Sequence, residues 1–317
     1  MEQRDSQSVS QPDPHRDPHP SPIALHNGVF TIDDYTENGL LGSGSYGQVF
    51  LGTQHLKKQT TEHVAIKLHH DAFLLKREVK IYDYLWKYIQ QGYVTGLHIP
   101  RVLWSGSVDI GDKCKEAIVM ERLGNSFDTL FDASNKQWTV ATVCWFACHA
   151  LELLRDIHKL GIIHRDIKPD NFAIGCTPAT QSTLHIFDFG LSSQYIDTDG
   201  NHHPAKTGLS LIGTMRYASI HNHQGHLQSR RDDLEALFYV LLYFHNGTLE
   251  WKHTAQEVDD RLLKSKLILE HKIQLLPESV PEVLRDYYTY VRGLDYEDTP
   301  DYARWIEWFG ERSVGGE

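Results

Sequence analysis

The sequence predicts an α+β fold in which a small β-rich N-terminal half precedes a larger α-rich C-terminal half. Two observations carry this prediction. Up to about residue 123, short apolar runs rich in β-branched residues alternate with Gly and polar turns, and one helical pattern interrupts them. Beyond residue 125, apolar residues recur with helical spacing over wide faces.

The strands and helices follow from the spacing of apolar residues. Three runs bounded by turn residues are predicted strands: Gln48–Gly52, Val64–Leu68 and Ala117–Met120. Apolar residues at intervals of three and four predict helices at Phe73–Tyr88, Thr139–Leu160 and Asp232–Phe244. The stretch Phe189–Met215 is rich in Gly, His, Asp and Thr, which predicts an exposed loop.

The composition is that of a globular protein. Of the 317 residues, 40% are hydrophobic and 23% are charged, which excludes a wholly disordered or collagen-like chain. The 31 Lys and Arg residues against 42 Asp and Glu residues give a net charge of −11. We therefore expect no nucleic-acid partner, because binders with a generally basic surface carry the opposite balance. We expect no membrane partner either, since no apolar run reaches the ~20 residues of a membrane span.

The two ends of the chain are predicted to be tails. Residues 1–28 are rich in Pro, Ser and His, and Met1 and Val9 are the only large apolar residues in the first 22. Such a segment buries too little surface to offset its ordering entropy. One domain is expected over residues 29–312, with its β-rich part at 29–122 and its α-rich part at 123–312. Residues 313–317 form a short tail.

The four cysteines are too few for a disulfide scaffold and form no C-x-x-C motif. Cys144 and Cys148 stand four residues apart in an apolar helical stretch and therefore share a face. They are either metal ligands or small apolar residues of a buried helix. The second interpretation is favoured, because no other Cys or His pair has matching spacing. Reduced thiols and the lack of an apolar signal segment predict a cytoplasmic or nuclear protein.

A glycine-rich segment, Gly42-Ser43-Gly44-Ser45-Tyr46-Gly47-Gln48-Val49, has the form G-x-G-x-x-G-x-V. Glycines let the backbone approach phosphate oxygens and tolerate positive φ. In dinucleotide-binding folds a helix follows this spacing, with an acidic residue about 20 positions further on. Here a strand follows, and Lys67 stands twenty residues after Gly47. The pattern favours a hairpin over phosphates and argues against NAD.

Lys67 lies on a strand whose other residues are of buried type, and it faces the glycine-rich segment across a hairpin. A role in phosphate binding is therefore favoured over a solvated lysine at a strand end. Glu78, on the helix that follows, is predicted to hold the Lys67 ammonium group in place. The alternative is that Glu78 forms an i, i+4 surface pair with a lysine of its own helix.

The most specific signal is His164-Arg165-Asp166-Ile167-Lys168-Pro169-Asp170-Asn171, which Asp188-Phe189-Gly190 follows. Asp166 can accept a proton from a substrate hydroxyl, and Lys168 can neutralise a phosphoryl group in transfer. Asn171 and Asp188 carry oxygens that suit a metal ion. Phosphoryl transfer depends on such positioning and charge neutralisation rather than on covalent catalysis.

The chain resembles a eukaryotic protein kinase and, within that group, the casein kinase 1 family, over roughly Phe30 to Phe309. The segments that carry this resemblance are Gly213–Ile220, Gln228–Glu235, Met120–Ser126 and Pro300-Asp301-Tyr302. The family has Ser-Ile-Asn where typical protein kinases have Ala-Pro-Glu, and here His221 replaces that Asn.

The resemblance implies a bilobal protein-kinase-like fold and a non-specific serine/threonine protein kinase. With ATP and Mg²⁺ as cofactors, it would transfer the γ-phosphate to Ser or Thr hydroxyls of protein substrates. We expect a monomer that is active without activation-loop phosphorylation.

The resemblance also implies residue roles. Asp166 would be the catalytic base, with Lys168 beside it, and Lys67 would bind the α- and β-phosphates and pair with Glu78. Asp233 would brace the catalytic loop through its backbone N–H groups. Mg²⁺ would be held by Asn171 and Asp188. Met120 would border the adenine, which the backbone of Glu121 and Leu123 would bind. The implied nucleotide-binding set is Leu41, Gly42, Ser43, Gly44, Ser45, Tyr46, Gly47, Val49, Ala65, Lys67, Glu78, Met120, Glu121, Leu123, Asn171 and Asp188.

One departure from the family concerns the acceptor. The family commonly recognises acidic or phosphate-primed substrates at a basic site, and Arg216 matches one element of it. Leu209 and Leu262 replace two lysines usual there, and acidic residues at 257, 259 and 260 add negative charge. We predict a weakened preference for primed acidic substrates, unless Lys206 or Arg261 compensates.

Two alternatives to an active protein kinase exist. A pseudokinase is disfavoured because Lys67, Asp166, Asn171 and Asp188 are all present. A small-molecule kinase of related fold is disfavoured by Lys168 and by the Gly213–Ile220 segment, which resemble features of kinases that act on proteins.

Overall fold

The computed structural model describes residues 22–44, 47–57, 60–69, 71–253 and 258–314. A β-rich N-terminal lobe precedes a helical C-terminal lobe, as the sequence predicted. Of the predicted tails, residues 1–21 and 315–317 lie outside the described residues. Where the ends are described they are more ordered than predicted, because strand β1 lies within residues 1–28 and the last helix continues to Val314.

The N-terminal lobe is built on a seven-stranded antiparallel sheet in the order β1-β2-β4-β5-β7-β6, with β3 paired to β4. The strands are β1 (Ile23–Leu25), β2 (Phe30–Ile32), β3 (Leu40–Gly44), β4 (Gly47–His55), β5 (Thr61–His69), β6 (Val102–Ile110) and β7 (Lys113–Glu121). The three predicted strands are confirmed and lie within β4, β5 and β7. β1 was missed, because three residues beside a Pro-rich segment show no periodicity.

Helix α1 (Ala72–Gln90) packs against this sheet and extends the predicted helix at both ends. Its start is set by Asp71, whose side chain accepts hydrogen bonds from the backbone N–H groups of Phe73 and Leu74. The helix buries Glu78 among the apolar residues of its inner face. Helix α1 therefore brings a negative charge to the boundary between the lobes. Because a buried carboxylate needs a partner, this charge must be paired there.

The C-terminal lobe contains α2 (Phe127–Ala133), α3 (Val140–Lys159), α4 (Ile220–His223), α5 (Arg230–Asn246), α6 (Arg261–Gln274), α7 (Glu282–Arg292) and α8 (Tyr302–Val314). Its strands are β8 (Leu123–Ser126), β9 (Ile162–Ile163), β10 (Phe172–Gly175), β11 (Leu184–Ile186) and β12 (Ser193–Gln194). Helix α5 is buried on all sides from Asp232 to Phe244, which makes it the centre of the lobe. In the described part of the chain, no helix is both long and apolar enough to cross a membrane.

Both cysteines of helix α3 pack in or against the hydrophobic core of the lobe. Cys144 is fully buried on α3 and Cys148 is partly buried, and burial raises the pKa of each thiol to about 11. This agrees with the favoured interpretation of a buried helix.

The predicted exposed loop Phe189–Met215 is exposed from Pro204 to Ser210, but it begins with buried Phe189 and Ser192. That part of the prediction was wrong, because the start of the loop packs under α1.

Candidate active site

Lys67 joins the two lobes through a pair of carboxylates. Its Nζ lies 3.0 and 2.9 Å from the Glu78 carboxylate oxygens and 2.7 Å from Oδ1 of Asp188. Burial alone would lower the pKa of Lys67, but the two carboxylates raise it above its ordinary value. The predicted pairing of Lys67 with Glu78 is confirmed, and the alternative of a surface pair for Glu78 was wrong.

Asp188 is positioned by an unusual backbone and by α1. Its φ of 65° lies in the left-handed region, which a residue other than Gly adopts only when its surroundings enforce it. Here the Asp188 N–H donates to the Tyr82 hydroxyl at 3.1 Å, and the Phe189 ring meets the Tyr82 ring edge-on. Burial would raise the pKa of Asp188, but Lys67 lowers it to about 2. The site therefore holds two carboxylates around one ammonium group, an arrangement that suits a further cation.

Asp166 is oriented by donors on both of its oxygens. The N–H and Oγ1 of Thr214 donate to Oδ1 at 2.9 and 2.8 Å, and Lys168 Nζ donates to Oδ2 at 2.8 Å. Asn171 Nδ2 donates to the Asp166 backbone carbonyl at 2.8 Å. Two segments far apart in the sequence thus meet at Asp166, one of them from the predicted loop.

Asp233, at the start of α5, holds the backbone that leads to Asp166. Its Oδ2 accepts the His164 N–H at 2.7 Å and its Oδ1 accepts the Arg165 N–H at 2.8 Å. The predicted bracing of this loop is confirmed. Oδ2 also lies 2.9 Å from Nε2 of His158, whose Nδ1 lies 2.5 Å from the Tyr302 hydroxyl. The C-terminal helix α8 is therefore connected, through buried polar groups, to the backbone of His164 and Arg165, which precede Asp166.

The glycine-rich segment forms the predicted hairpin. Gly42 pairs with Val49, and Gly44 pairs with Gly47 at its tip. A Cβ atom at Gly42 or Gly44 would meet none of the described atoms within 4 Å, whereas one at Gly47 would collide with the Leu68 carbonyl. Gly47 is thus needed for close packing of the strands, and the other two leave open space above the hairpin. Ser45 and Tyr46 lie outside the described residues.

Several predicted nucleotide-binding residues share one face of the sheet. Val49 is paired with Lys67, and Ala65 is paired with Met120. Directly paired residues point to the same side of a sheet, as do residues two apart on one strand. This is the face from which Lys67 reaches Asp188. Glu121 ends β7 and Leu123 begins β8 in the other lobe, so the chain crosses between the lobes beside Met120. Leu41, on β3, is exposed.

Asn171 and Asp188 carry side-chain oxygens of the kind that binds magnesium. The backbone N–H of Phe187 donates to the Asn171 carbonyl at 3.1 Å, which keeps the two segments adjacent. Because Nδ2 of Asn171 is bound to Asp166, the amide oxygen points away from that contact. Mg²⁺ is commonly held by one or two protein oxygens together with substrate phosphates, and these two side chains supply such oxygens.

Sequence reasoning missed another buried carboxylate in this region, Glu235 on α5. It accepts hydrogen bonds from the Ile220 N–H at 2.9 Å and the Tyr239 hydroxyl at 2.8 Å, and it pairs with Arg292 at 3.0 Å. Ile220 begins the helix that follows the loop. Glu235 thereby anchors the end of this loop to α5 and α7, and no sequence signal distinguished it from a surface residue.

Residues 35–283, well over half of the chain, match the family model described as protein kinase domain. The match includes Lys67, Glu78, Asp166, Asn171 and Asp188.

Proposed function

We propose that this chain, which belongs to the protein kinase domain family, is a casein kinase 1-like serine/threonine kinase. Family membership implies a protein kinase that uses ATP. The observation that best supports an active enzyme is the position of Lys67 Nζ, which lies within 3.0 Å of both Glu78 and Asp188. A phosphate-binding lysine and a metal-binding carboxylate must both be in place for phosphoryl transfer.

The acceptor hydroxyl would lose its proton to Asp166. The carboxylate is held by Thr214 and Lys168, so its orientation does not depend on the substrate. Lys168, whose pKa is raised by Asp166 against the opposing effect of burial, stays charged and would neutralise the transferring group. Base and cation thus stand 2.8 Å apart, so both would lie beside the reacting hydroxyl.

The remaining roles belong to the nucleotide side. Lys67 would bind the α- and β-phosphates beneath the glycine hairpin, and the backbone between Glu121 and Leu123 would bind the adenine. Asn171 and Asp188 would hold Mg²⁺, which when bound supplies positive charge to the phosphate oxygens. Glu78 keeps Lys67 extended toward this space.

Backbone hydrogen bonds tie the loop before α4 to the C-terminal lobe, which supports activity without activation-loop phosphorylation. The Leu209 N–H donates to the Gly225 carbonyl at 2.9 Å, and the Leu227 N–H donates to the Lys206 carbonyl at 2.8 Å. These bonds, together with the Thr214 contacts to Asp166, tie the loop to the C-terminal lobe.

The proposed activity is tested by phosphoamino-acid analysis of protein acceptors after incubation with labelled ATP and Mg²⁺. We expect phosphoserine and phosphothreonine, and phosphotyrosine as the main product would contradict the proposal. An Asp188→Asn variant should be roughly 100-fold slower, because it loses one preorganised charge at the phosphates. No transfer by either protein would favour a pseudokinase.

The acceptor preference depends on two exposed leucines. The side chains of Leu209 and Leu262 are 40% and 82% exposed, so both positions are open to a substrate. Asp260 caps α6 through the Leu263 N–H at 2.7 Å, which places a negative charge next to Leu262, and Glu257 lies outside the described residues. This environment does not favour a phosphate group, which supports the predicted weakening of the preference for primed acidic substrates.

A double Leu209→Lys, Leu262→Lys variant should therefore gain selectivity for phosphate. We expect kcat/KM for a peptide with phosphoserine at minus three to rise roughly fivefold over its unphosphorylated form, since exposed ion pairs contribute up to ~1 kcal/mol. Leu263→Lys, on the same helix, is the matched control and should not change this ratio. A strong phosphate preference in the wild type would contradict the argument.

A further inference from the structure

Lys272, on α6, is a fully buried lysine whose amino nitrogen binds backbone carbonyls. Its Nζ donates to the Ala218 carbonyl at 2.5 Å and to the Met215 carbonyl at 3.1 Å. It also lies 4.3 Å from the ring centre of Tyr239 and 5.3 Å from that of Trp251. None of the ion pairs recorded among the described residues includes Lys272. Burial lowers the pKa of Lys272 well below its ordinary value, so the side chain is held in place by its hydrogen bonds to the two carbonyl oxygens rather than by an ion pair.

The backbone of residues 215–218 accepts further hydrogen bonds. Trp251 Nε1 donates to the Arg216 carbonyl at 2.8 Å, and His223 Nε2 lies 3.1 Å from the Met215 carbonyl. Burial and the nearby Lys272 lower the pKa of His223 to about 3, so its ring is neutral. The carbonyls of residues 215, 216 and 218 therefore all point to donors on α4, α6 and the loop before α6.

The N-terminal end of residues 215–218 adjoins the residues that contact Asp166 and the backbone before it. Thr214, the residue before Met215, donates twice to Asp166. Gly213, with φ of 94°, packs so closely on the catalytic loop that a Cβ atom would collide with the Arg165 carbonyl. A shift of residues 215–218 is therefore transmitted to Asp166, but not to Lys67 or Glu78, which lie in the other lobe.

We propose that Lys272 is a positioning residue that holds residues 215–218 as the wall of the acceptor site beside Asp166. The inference rests on the proposed function, because it assigns that wall to the protein acceptor. Lys272 itself contacts no substrate. It acts through the two carbonyls that flank Arg216 and Tyr217, and it fixes the direction in which this stretch faces.

The test uses a Lys272→Met variant, which keeps the length of the side chain and removes the donors. We expect the KM for a peptide acceptor to rise about tenfold, as for the loss of two buried hydrogen bonds, while the KM for ATP stays within about twofold. Amide exchange at Tyr217 and Ala218, whose N–H groups donate to the Thr214 carbonyl, should be about tenfold faster. Lys266→Met, exposed on the same helix, should change none of these values.

The outcomes separate this inference from the proposed function. A wild-type chain without transfer to proteins would contradict the proposed function. Unchanged peptide KM and unchanged exchange in the Lys272→Met variant of an active enzyme would contradict only the role of Lys272. If that variant does not fold, Lys272→Arg provides a second test. Its larger head should push the carbonyls apart and raise the peptide KM about threefold, and an unchanged value would contradict the inference.

Discussion

An Asp166→Asn variant is expected to transfer phosphate about 10³-fold more slowly than the wild type, in the range of a lost general base. The substitution preserves size but removes the proton acceptor. Its amide group would also place N–H donors against either Thr214 or Lys168, both of which already donate to this carboxylate. Steady-state kinetics with a peptide acceptor measure the effect, which should fall on kcat while the KM for ATP is retained.

Asp170→Asn is the matched control for this change. Asp170 lies in the same loop and its side chain is exposed, so the substitution tests for a general effect of removing a carboxylate there. We expect activity within about twofold of the wild type, as for most exposed positions. A kcat for Asp166→Asn close to that of Asp170→Asn would contradict the role of Asp166 as a base.

An Asp233→Asn variant should lose about 3–5 kcal/mol of stability, the usual cost of breaking a buried charged network by changing one partner. The carboxylate accepts the N–H groups of His164 and Arg165 and also faces His158. An amide presents donors where the native group presents acceptors, so at least one buried N–H would lose its partner. Urea-induced unfolding gives the free energy of unfolding for both proteins. Asp286→Asn, exposed on α7, should be neutral.

The difference in the free energy of unfolding between wild type and Asp233→Asn should depend on pH in a defined direction. Burial would raise the pKa of Asp233, but the hydrogen bond and charge of His158 and the His164 N–H lower it below its ordinary value of 3.8. A carboxyl whose pKa is lower in the folded state stabilises the fold above the unfolded pKa and loses this effect as pH falls through the folded pKa. The difference between wild type and Asp233→Asn should therefore narrow below pH 3.8. A difference that stays constant would contradict an ionised Asp233.

The sequence predicted some contacts of the candidate site and missed others. Lys67 and Glu78 lie on elements with strong periodicity, so their pairing could be anticipated, and the family resemblance implied that Asp233 braces the backbone before Asp166. The contact of Lys67 with Asp188 and the donors from Thr214 to Asp166 join distant segments that no local signal pairs. Tyr302 reaches His158 across the lobe, and the sequence contains nothing that pairs two such distant positions.

Buried ionisable side chains were the least predictable feature. Lys272 and Glu235 occur in helices among other charged residues, where a solvated side chain is the normal expectation. Their burial depends on how α5, α6 and the loop before α4 pack together, which is a tertiary effect. The short strand β1 was missed for a related reason, because pairing with β2 rather than propensity keeps it in the sheet.

The contacts of Arg292 and Tyr302 also bear on where the chain can be cut. The family match ends at residue 283, but Arg292 neutralises buried Glu235, and Tyr302 is bonded to His158. A fragment trimmed to the matched range would leave Glu235 and His158 buried without these partners. A fragment that keeps these partners extends through α8, some thirty residues past the region by which the family is recognised.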